Sequence, residues 1–171
     1  MVIQIDTREK ARAIRQIVRT FDAAGIKHYT SKLLVGDYMS LDNPYVIVDR
    51  KQNLLEVCNN VCQDHDRFMA ELLRAKDVGI KLIVLVEHGE GINSLEDVIF
   101  WENPRREKSP KAINGDRLYK ILQTVERKYG CTFAFCDKRH TGEEIIRWLT
   151  TDGYVCTGRS EITGYGKTPK S

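Results

Sequence analysis

The run Ile80–Glu87, IKLIVLVE, constrains the fold more than any other stretch of this chain. It is the most strand-like segment and reads as a central parallel strand, and strands of that kind need helices over both faces of their sheet. Apolar residues at helical spacing supply such helices. Ile14, Ile17, Val18 and Phe21 form one stripe, with Gly25 as its stop. Leu54, Cys58, Val61 and Cys62 mark a second helix, and Phe68, Leu72 and Leu73 a third that ends near Lys76-Asp77. A short helix opens at Ser94 with Asp97 and runs to about Trp101. Leu118, Ile121, Leu122 and Val125 lie on a longer one stopped by Gly130. Thr141 with Glu144 predicts a capping box for a last helix carrying Ile145, Ile146, Trp148 and Leu149. Val2–Ile5, Ile26–Val35, Tyr45–Arg50 and Cys131–Cys136 complete the predicted strands. The fold class is therefore α/β, a central mixed β-sheet flanked by helices over residues 1–150. Residues 151–171 are rich in Gly, Thr, Ser and Lys without periodicity and read as a flexible C-terminal tail.

The chemistry concentrates between Leu33 and Lys51, LLVGDYMSLDNPYVIVDRK, read as two strands joined by a turn at Asp42-Asn43-Pro44. Side chains alternate along a strand, so Asp49 and Lys51 point one way and Arg50 the other. Two acids, Asp37 and Asp49, with a lysine at strand ends are the minimal kit for metal-assisted phosphodiester hydrolysis. Carboxylate oxygens hold a hard divalent cation, which polarises phosphate and acidifies a bound water, while the lysine steadies developing charge. The competing reading is a solvated turn with a surface lysine. Against it, the trio follows directly on Val46-Ile47-Val48, a run that reads as buried, and ligands usually bind at such strand ends.

Gly36-Asp37-Tyr38 followed by Val46-Ile47-Val48-Asp49-Arg50-Lys51 resembles the GDY…(V/I)ERK signature of the ERCC4-type nucleases. Ile5-Asp6-Thr7-Arg8-Glu9 resembles that family's opening D-x-R-E, and Asp66-Arg67-Phe68 its G-R-(F/L/Y) segment. Ala112-Ile113-Asn114-Gly115 and His140-Thr141 resemble its later helix starts, all in the family's order. The resemblance implies a restriction-endonuclease-like fold and a structure-selective DNA endonuclease acting on flaps, forks or other branched DNA. It implies Asp6, Asp37 and Asp49 as metal ligands and Lys51 as the catalytic lysine. Arg50 would contact phosphate or hold the acids in place. Magnesium, or manganese, is the expected ion, since carboxylate and water oxygens suit it. Arg8 and Arg67 would touch the DNA, although each also reads as an ordinary helix-start charge. The chain departs from the pattern twice. Asp49 stands where the family has Glu, and Leu55 stands where an acid is expected, with Glu56 one place late. The second departure leaves room for another class of function, a branched-DNA-binding partner subunit whose catalysis has decayed. A plain nucleotide-binding domain is disfavoured, because no Gly-rich phosphate loop follows a strand.

Five cysteines (Cys58, Cys62, Cys131, Cys136, Cys156) lack the paired spacing of a zinc site, and Cys58 and Cys62 read as small buried hydrophobes. A net charge of +3 argues little for nucleic acid by itself. The segment ENPRREKSPKA, residues 102–112, holds Arg105, Arg106, Lys108 and Lys111 between prolines, as either a flexible solvated loop or a DNA-backbone contact. Arg12, Arg15 and Arg19 read as the solvated face of the first helix. No apolar run approaches a membrane span and no signal-peptide layout is present, so a cytoplasmic location is expected. The helix-hairpin-helix repeats that usually follow this domain in the resembled family are expected to be missing, since the sequence runs only about twenty residues past the last predicted helix. Trp148 and Tyr119, off the core faces of their helices, are then expected to anchor a homodimer.

Overall fold

Residues Asn43–Lys51 (β4) and Lys81–Glu87 (β5) run side by side in parallel, Asp49 opposite Val84 and Lys51 opposite Val86. Alternation along these two strands divides the interior into two cores in this computed structural model, which describes residues 1–151. Ile47, Leu82, Val84 and Val86 face one core, shared with helices α2 (Leu54–Cys62), α3 (His65–Asp77) and α4 (Gly115–Tyr129). Val46, Val48, Ile83 and Leu85 face the other, shared with α1 (Arg15–Ala23) and α5 (Thr141–Thr150). Burial on both faces is what an unbroken apolar strand demands. β5 accordingly lies between β4 and β6 (Thr132–Cys136), parallel to both.

The six strands, with β1 (Val2–Ile5), β2 (Lys27–Thr30) and β3 (Tyr38–Ser40), form a mixed sheet in the order β2-β1-β3-β4-β5-β6. Here the hairpin differs from the expected one. The strand predicted over Ile26–Val35 stops at Thr30 and pairs parallel with β1 at the sheet edge, Val2 opposite Lys27. The antiparallel partner of β4 is the short β3, with Tyr38 opposite Val48. The chain leaves the ladder because the Leu33 N–H donates to the Asp6 carboxylate at 2.6 Å rather than to a strand. Gly36 then turns it with φ of +64°, and a Cβ there would lie 2.5 Å from Ile47 Cγ2. Only glycine fits that turn without displacing the core.

Four further expectations change. His65, Asp66 and Arg67 form the first turn of α3 rather than a link. Cys62 is exposed, whereas Cys58 is buried. Thr141 is the first residue of α5 and caps nothing, since its hydroxyl is directed to Glu87 and to the Lys138 carbonyl. The segment expected as a structureless loop contains a 3-10 turn, Pro104–Glu107, organised by the buried Asn103. The Asn103 side chain accepts from the Arg105 N–H at 3.0 Å and donates to the Ile113 carbonyl at 2.8 Å. The predicted tail beyond residue 151 lies outside the described residues. Among the described residues, no helix is long and apolar enough to cross a membrane.

Candidate active site

β3 and β4 deliver Asp37, Asp49, Arg50 and Lys51 to one end of the sheet, above a cleft of about 400 Å3. Period-two alternation separates their side chains. Asp49 and Lys51 turn towards α2 and α3, and Arg50 turns to the α1/α5 side. Asp49 is 3% exposed, and its Oδ2 lies 2.8 Å from Lys51 Nζ as an ion pair without an aligned hydrogen bond. The Lys51 ammonium also sits 5.6 Å from the centre of the Phe68 ring on α3. Burial works against that ammonium, but Asp49 outweighs it and holds the Lys51 pKa above its ordinary value. Asp37 Oδ2 accepts the Arg50 peptide N–H at 2.9 Å. Burial, then the nearby charges of Asp49 and Glu9, push the Asp37 carboxyl well above the usual carboxylate range.

Arg50 meets Asp37 through its backbone. Its peptide group orients Asp37, but its guanidinium is committed elsewhere. It donates to both oxygens of Glu9 at 2.8 and 3.0 Å and to Glu87 at 3.1 Å, with its side chain only 4% exposed. The guanidinium is thereby engaged by two carboxylates at the border of the cleft. Tyr38 donates its hydroxyl to Glu9, and Thr141 donates to Glu87 at 2.9 Å. Glu9 and Glu87 are thus both engaged by Arg50, in a network whose Arg50 and Glu9 border the cleft.

Asp6 does not join the two cleft acids. One of its oxygens accepts from the peptide N–H and Nε of Arg8, at 2.9 and 2.6 Å, and the other from Leu33. Both oxygens accept hydrogen bonds inside the protein, and Asp6, expected as a third metal ligand, is not among the residues that line the cleft. Burial opposes its charge, but these donors keep the Asp6 pKa below its ordinary value. Arg8 itself lines the cleft, also donating to the Gly36 carbonyl at 3.1 Å. Arg67 lines it too, with its side chain 78% exposed and a 3.6 Å pair to Asp64.

Three further cleft residues, Gln52, Glu71 and Arg74, were not singled out in the sequence. Glu71 and Arg74 continue the stripe of α3 that begins at Arg67, spaced by four and three residues, and that spacing could have revealed them. Glu71 accepts the Gly36 N–H at 3.1 Å, fixing the turn that carries Asp37. Glu56 lines the cleft and accepts the Gln52 N–H at 2.8 Å, while Leu55 packs against the α2/α3 core. The cations of residues 102–112 do not reach the cleft. Arg105, Lys108 and Lys111 line a separate depression beside Cys58 and Cys62, and Arg106 lies near Trp101 in another.

Among the described residues, no group of three or more Asp, Glu, His or Cys side chains is arranged to enclose a metal ion. A magnesium ion does not require such a cage, because it keeps several waters and binds through one or two carboxylates plus substrate phosphate. Asp37 and Asp49 fit that demand. Asp49 Oδ2 is buried without an aligned donor, and the two acids crowd each other enough to raise Asp37. A divalent cation between them would relieve both conditions.

The model of the family described as "ERCC4 domain" matches residues 5–149. Among solved structures, XPF from Aeropyrum pernix is similar at 18% identity with a TM-score of 0.62. The match covers 87% of this chain and 63% of that one. The same protein in complex with DNA is similar at 17% identity, TM-score 0.59, covering 86% of this chain and 62% of that one. The chain thus spans less than two thirds of either structure, and the likeness establishes the shared mixed-sheet fold. No curated protein sequence matches it.

Proposed function

This chain belongs to the ERCC4 domain family, and from that premise and the cleft geometry we propose that it is a magnesium-dependent DNA endonuclease. Family membership suggests a nuclease or DNA-binding role. The observation that carries the finer reading is the pairing of Asp49 with Lys51 at 2.8 Å beside Asp37, at strand ends that open on a cleft. Asp37 and Asp49 would hold the ion, which when bound supplies charge neutralisation at the phosphate and a more acidic water. Lys51, held by Asp49 and Phe68, would set its ammonium against the negative charge that grows on the phosphoryl oxygens as water attacks. Arg8 and Arg67, both exposed at the cleft wall, would grip adjacent phosphates. Asp6 would serve by positioning Arg8, and Arg50 by positioning Asp37 and tying down Glu9.

The substrate would be branched DNA such as a flap or fork, with Arg105, Arg106, Lys108 and Lys111 touching its backbone away from the scissile bond. The protein would act in the cytoplasm as a homodimer through α4 and α5. One observation favours a second reading, a DNA-binding partner without catalysis: Leu55, partly buried, packs against the α2/α3 core where the family's pattern has an acid. Labelled flap, fork, four-way and plain duplex DNA, incubated with and without magnesium, separate the two. Magnesium-dependent cutting of the branched forms is expected. Tight binding of all forms with no cutting by the wild-type protein would replace the nuclease by the partner subunit.

A further inference from the structure

Outside the cleft, five cations gather at a shallow depression of about 510 Å3 lined by Lys10, Arg12, Arg15, Arg19 and Lys138, with Gln16 among them. All five cations are exposed, and no carboxylate lines the depression. They exceed the chain's net charge of +3, so the remainder of the molecule is net acidic. Acids close in sequence are committed to other partners. Glu9 binds Arg50, Asp22 lies 3.0 Å from His28, Asp137 pairs with Arg139 and Glu144 with Arg147. Glu143, at the start of α5, does not line the depression.

The fold assembles this surface from distant parts of the chain. Arg15 and Arg19 lie one helical turn apart on α1, opposite the buried Ile17 and Phe21. Lys138 arrives because the start of α5 packs directly on α1. A Cβ on Gly142 would lie only 2.7 to 3.0 Å from the Thr20 side chain. Along the chain the depression begins at Lys10, directly after Arg8 and Glu9 of the cleft wall. Arg8 lines the cleft and Lys10 lines the depression, on the single segment that joins β1 to α1. Uncompensated like charges repel one another, and a polyanion is the ligand that reverses the repulsion. Duplex DNA offers a phosphate charge every ~1.7 Å of its axis, with condensed counterions that are released on binding.

Resting on the nuclease reading above, we propose that this surface is a second phosphate-backbone contact, which holds a duplex arm of the DNA as it leaves the cleft past Arg8 and Lys10. Its cations position the duplex and take no part in bond breaking.

The test uses the whole chain and labelled duplex DNA in EDTA, with binding followed by fluorescence anisotropy across a salt series. A variant carrying Arg12→Ala, Arg15→Ala, Arg19→Ala and Lys138→Ala is compared with one carrying Lys27→Ala, Arg117→Ala, Lys120→Ala and Arg127→Ala, which removes as many exposed cations elsewhere. The first should bind ~10-fold more weakly or worse, with a log–log salt slope shallower by roughly 0.9 for each phosphate it ceases to neutralise. The second should change the slope by less than roughly 0.9. Equal effects in both variants, or none in the first, overturn the proposal. Should the quadruple variant misfold, Arg15→Gln with Arg19→Gln carries the same test, and an unchanged slope overturns it equally. Cutting of flap DNA with magnesium is read in parallel. Patch-dependent binding without any cutting would remove the nuclease reading and keep the patch. Cutting with patch-independent binding would do the reverse.

Discussion

Arg50 on β4 meets Glu87 at the end of β5, with Nη1 donating to Oε2 at 3.1 Å. The contact joins a chain of buried polar groups that crosses the molecule. Thr141 of α5 donates to Glu87, Arg50 bridges Glu87 and Glu9, and Tyr38 of β3 donates to Glu9. The network reaches from α5 to the cleft, whose wall Arg50 and Glu9 share with Asp37, Asp49 and Lys51. Removing Arg50 would leave two carboxylates, 11% and 3% exposed, without their counter-charge. Loss of one partner from such a buried pair costs about 3–5 kcal/mol. Arg50→Ala should therefore lower the urea midpoint sharply. A loss of under ~1 kcal/mol, the range of an exposed pair, would show that water reaches and solvates Glu9 and Glu87.

Cleavage should depend on the residues that face the cleft. Asp37→Asn and Lys51→Ala are each expected to slow DNA cutting by ~100-fold or more, as loss of one charge-stabilising group does. Duplex binding should survive in both, because affinity comes mainly from phosphate contacts elsewhere. Single-turnover cutting at wild-type rate by either variant would remove that residue from the mechanism.

His88 predicts an acid limb in the stability profile. Burial pulls its imidazole below the ordinary 6.5, with Glu90 opposing, and its Nδ1 faces the Leu54 N–H at 3.5 Å. The folded state therefore binds fewer protons than the unfolded state between the lowered pKa and 6.5, so stability rises with pH across that window. The full contribution is present above 6.5 and is lost as pH falls through the folded-state value. His88→Gln should flatten the profile between pH 6.5 and the acid side. Superimposable wild-type and variant profiles in urea titrations would assign the acid limb to other groups.

The cations of residues 102–112 sit outside the cleft, so any DNA contact there is separable from catalysis. Replacing Arg105, Arg106, Lys108 and Lys111 with Ala should weaken binding and flatten its salt slope by roughly 0.9 for every phosphate released from the segment. Cutting at saturating protein should keep its rate. An unchanged slope would make the segment a solvated surface only.

Self-association is tested by mass. Trp148 is half-buried against the α1/α5 core with the Arg147 guanidinium 4.6 Å from its ring, so less apolar surface remains than the sequence promised. Tyr119 likewise packs on the opposite core, and its hydroxyl accepts from Gln123. Ile146 and the outer face of Trp148 still lie at the surface of α5. Light scattering at micromolar concentration should give twice 19.7 kDa, and a mass near 19.7 kDa with full activity would exclude the dimer.

What could be read from the sequence was whatever depends on local periodicity. The apolar run of β5, the amphipathic helices and the shared direction of Asp49 and Lys51 all follow from periods of two and 3.6, which need no knowledge of the partners. The motif spacing around Gly36-Asp37-Tyr38 carried the family for the same reason. Tertiary structure alone decided where each charged side chain spends its hydrogen bonds. Asp6 turns to Leu33, which is 27 residues away, rather than to the cleft that Asp37 and Asp49 line. Arg50 is claimed by Glu9 and Glu87, 41 and 37 residues distant. Lys138 joins Arg15 and Arg19 only because Gly142 lets α5 close on Thr20. A carboxylate or guanidinium has the same local signature whether it is solvated, braced or catalytic. Burial and the identity of its nearest counter-charge distinguish these states, and both are set by contacts between residues far apart in the chain.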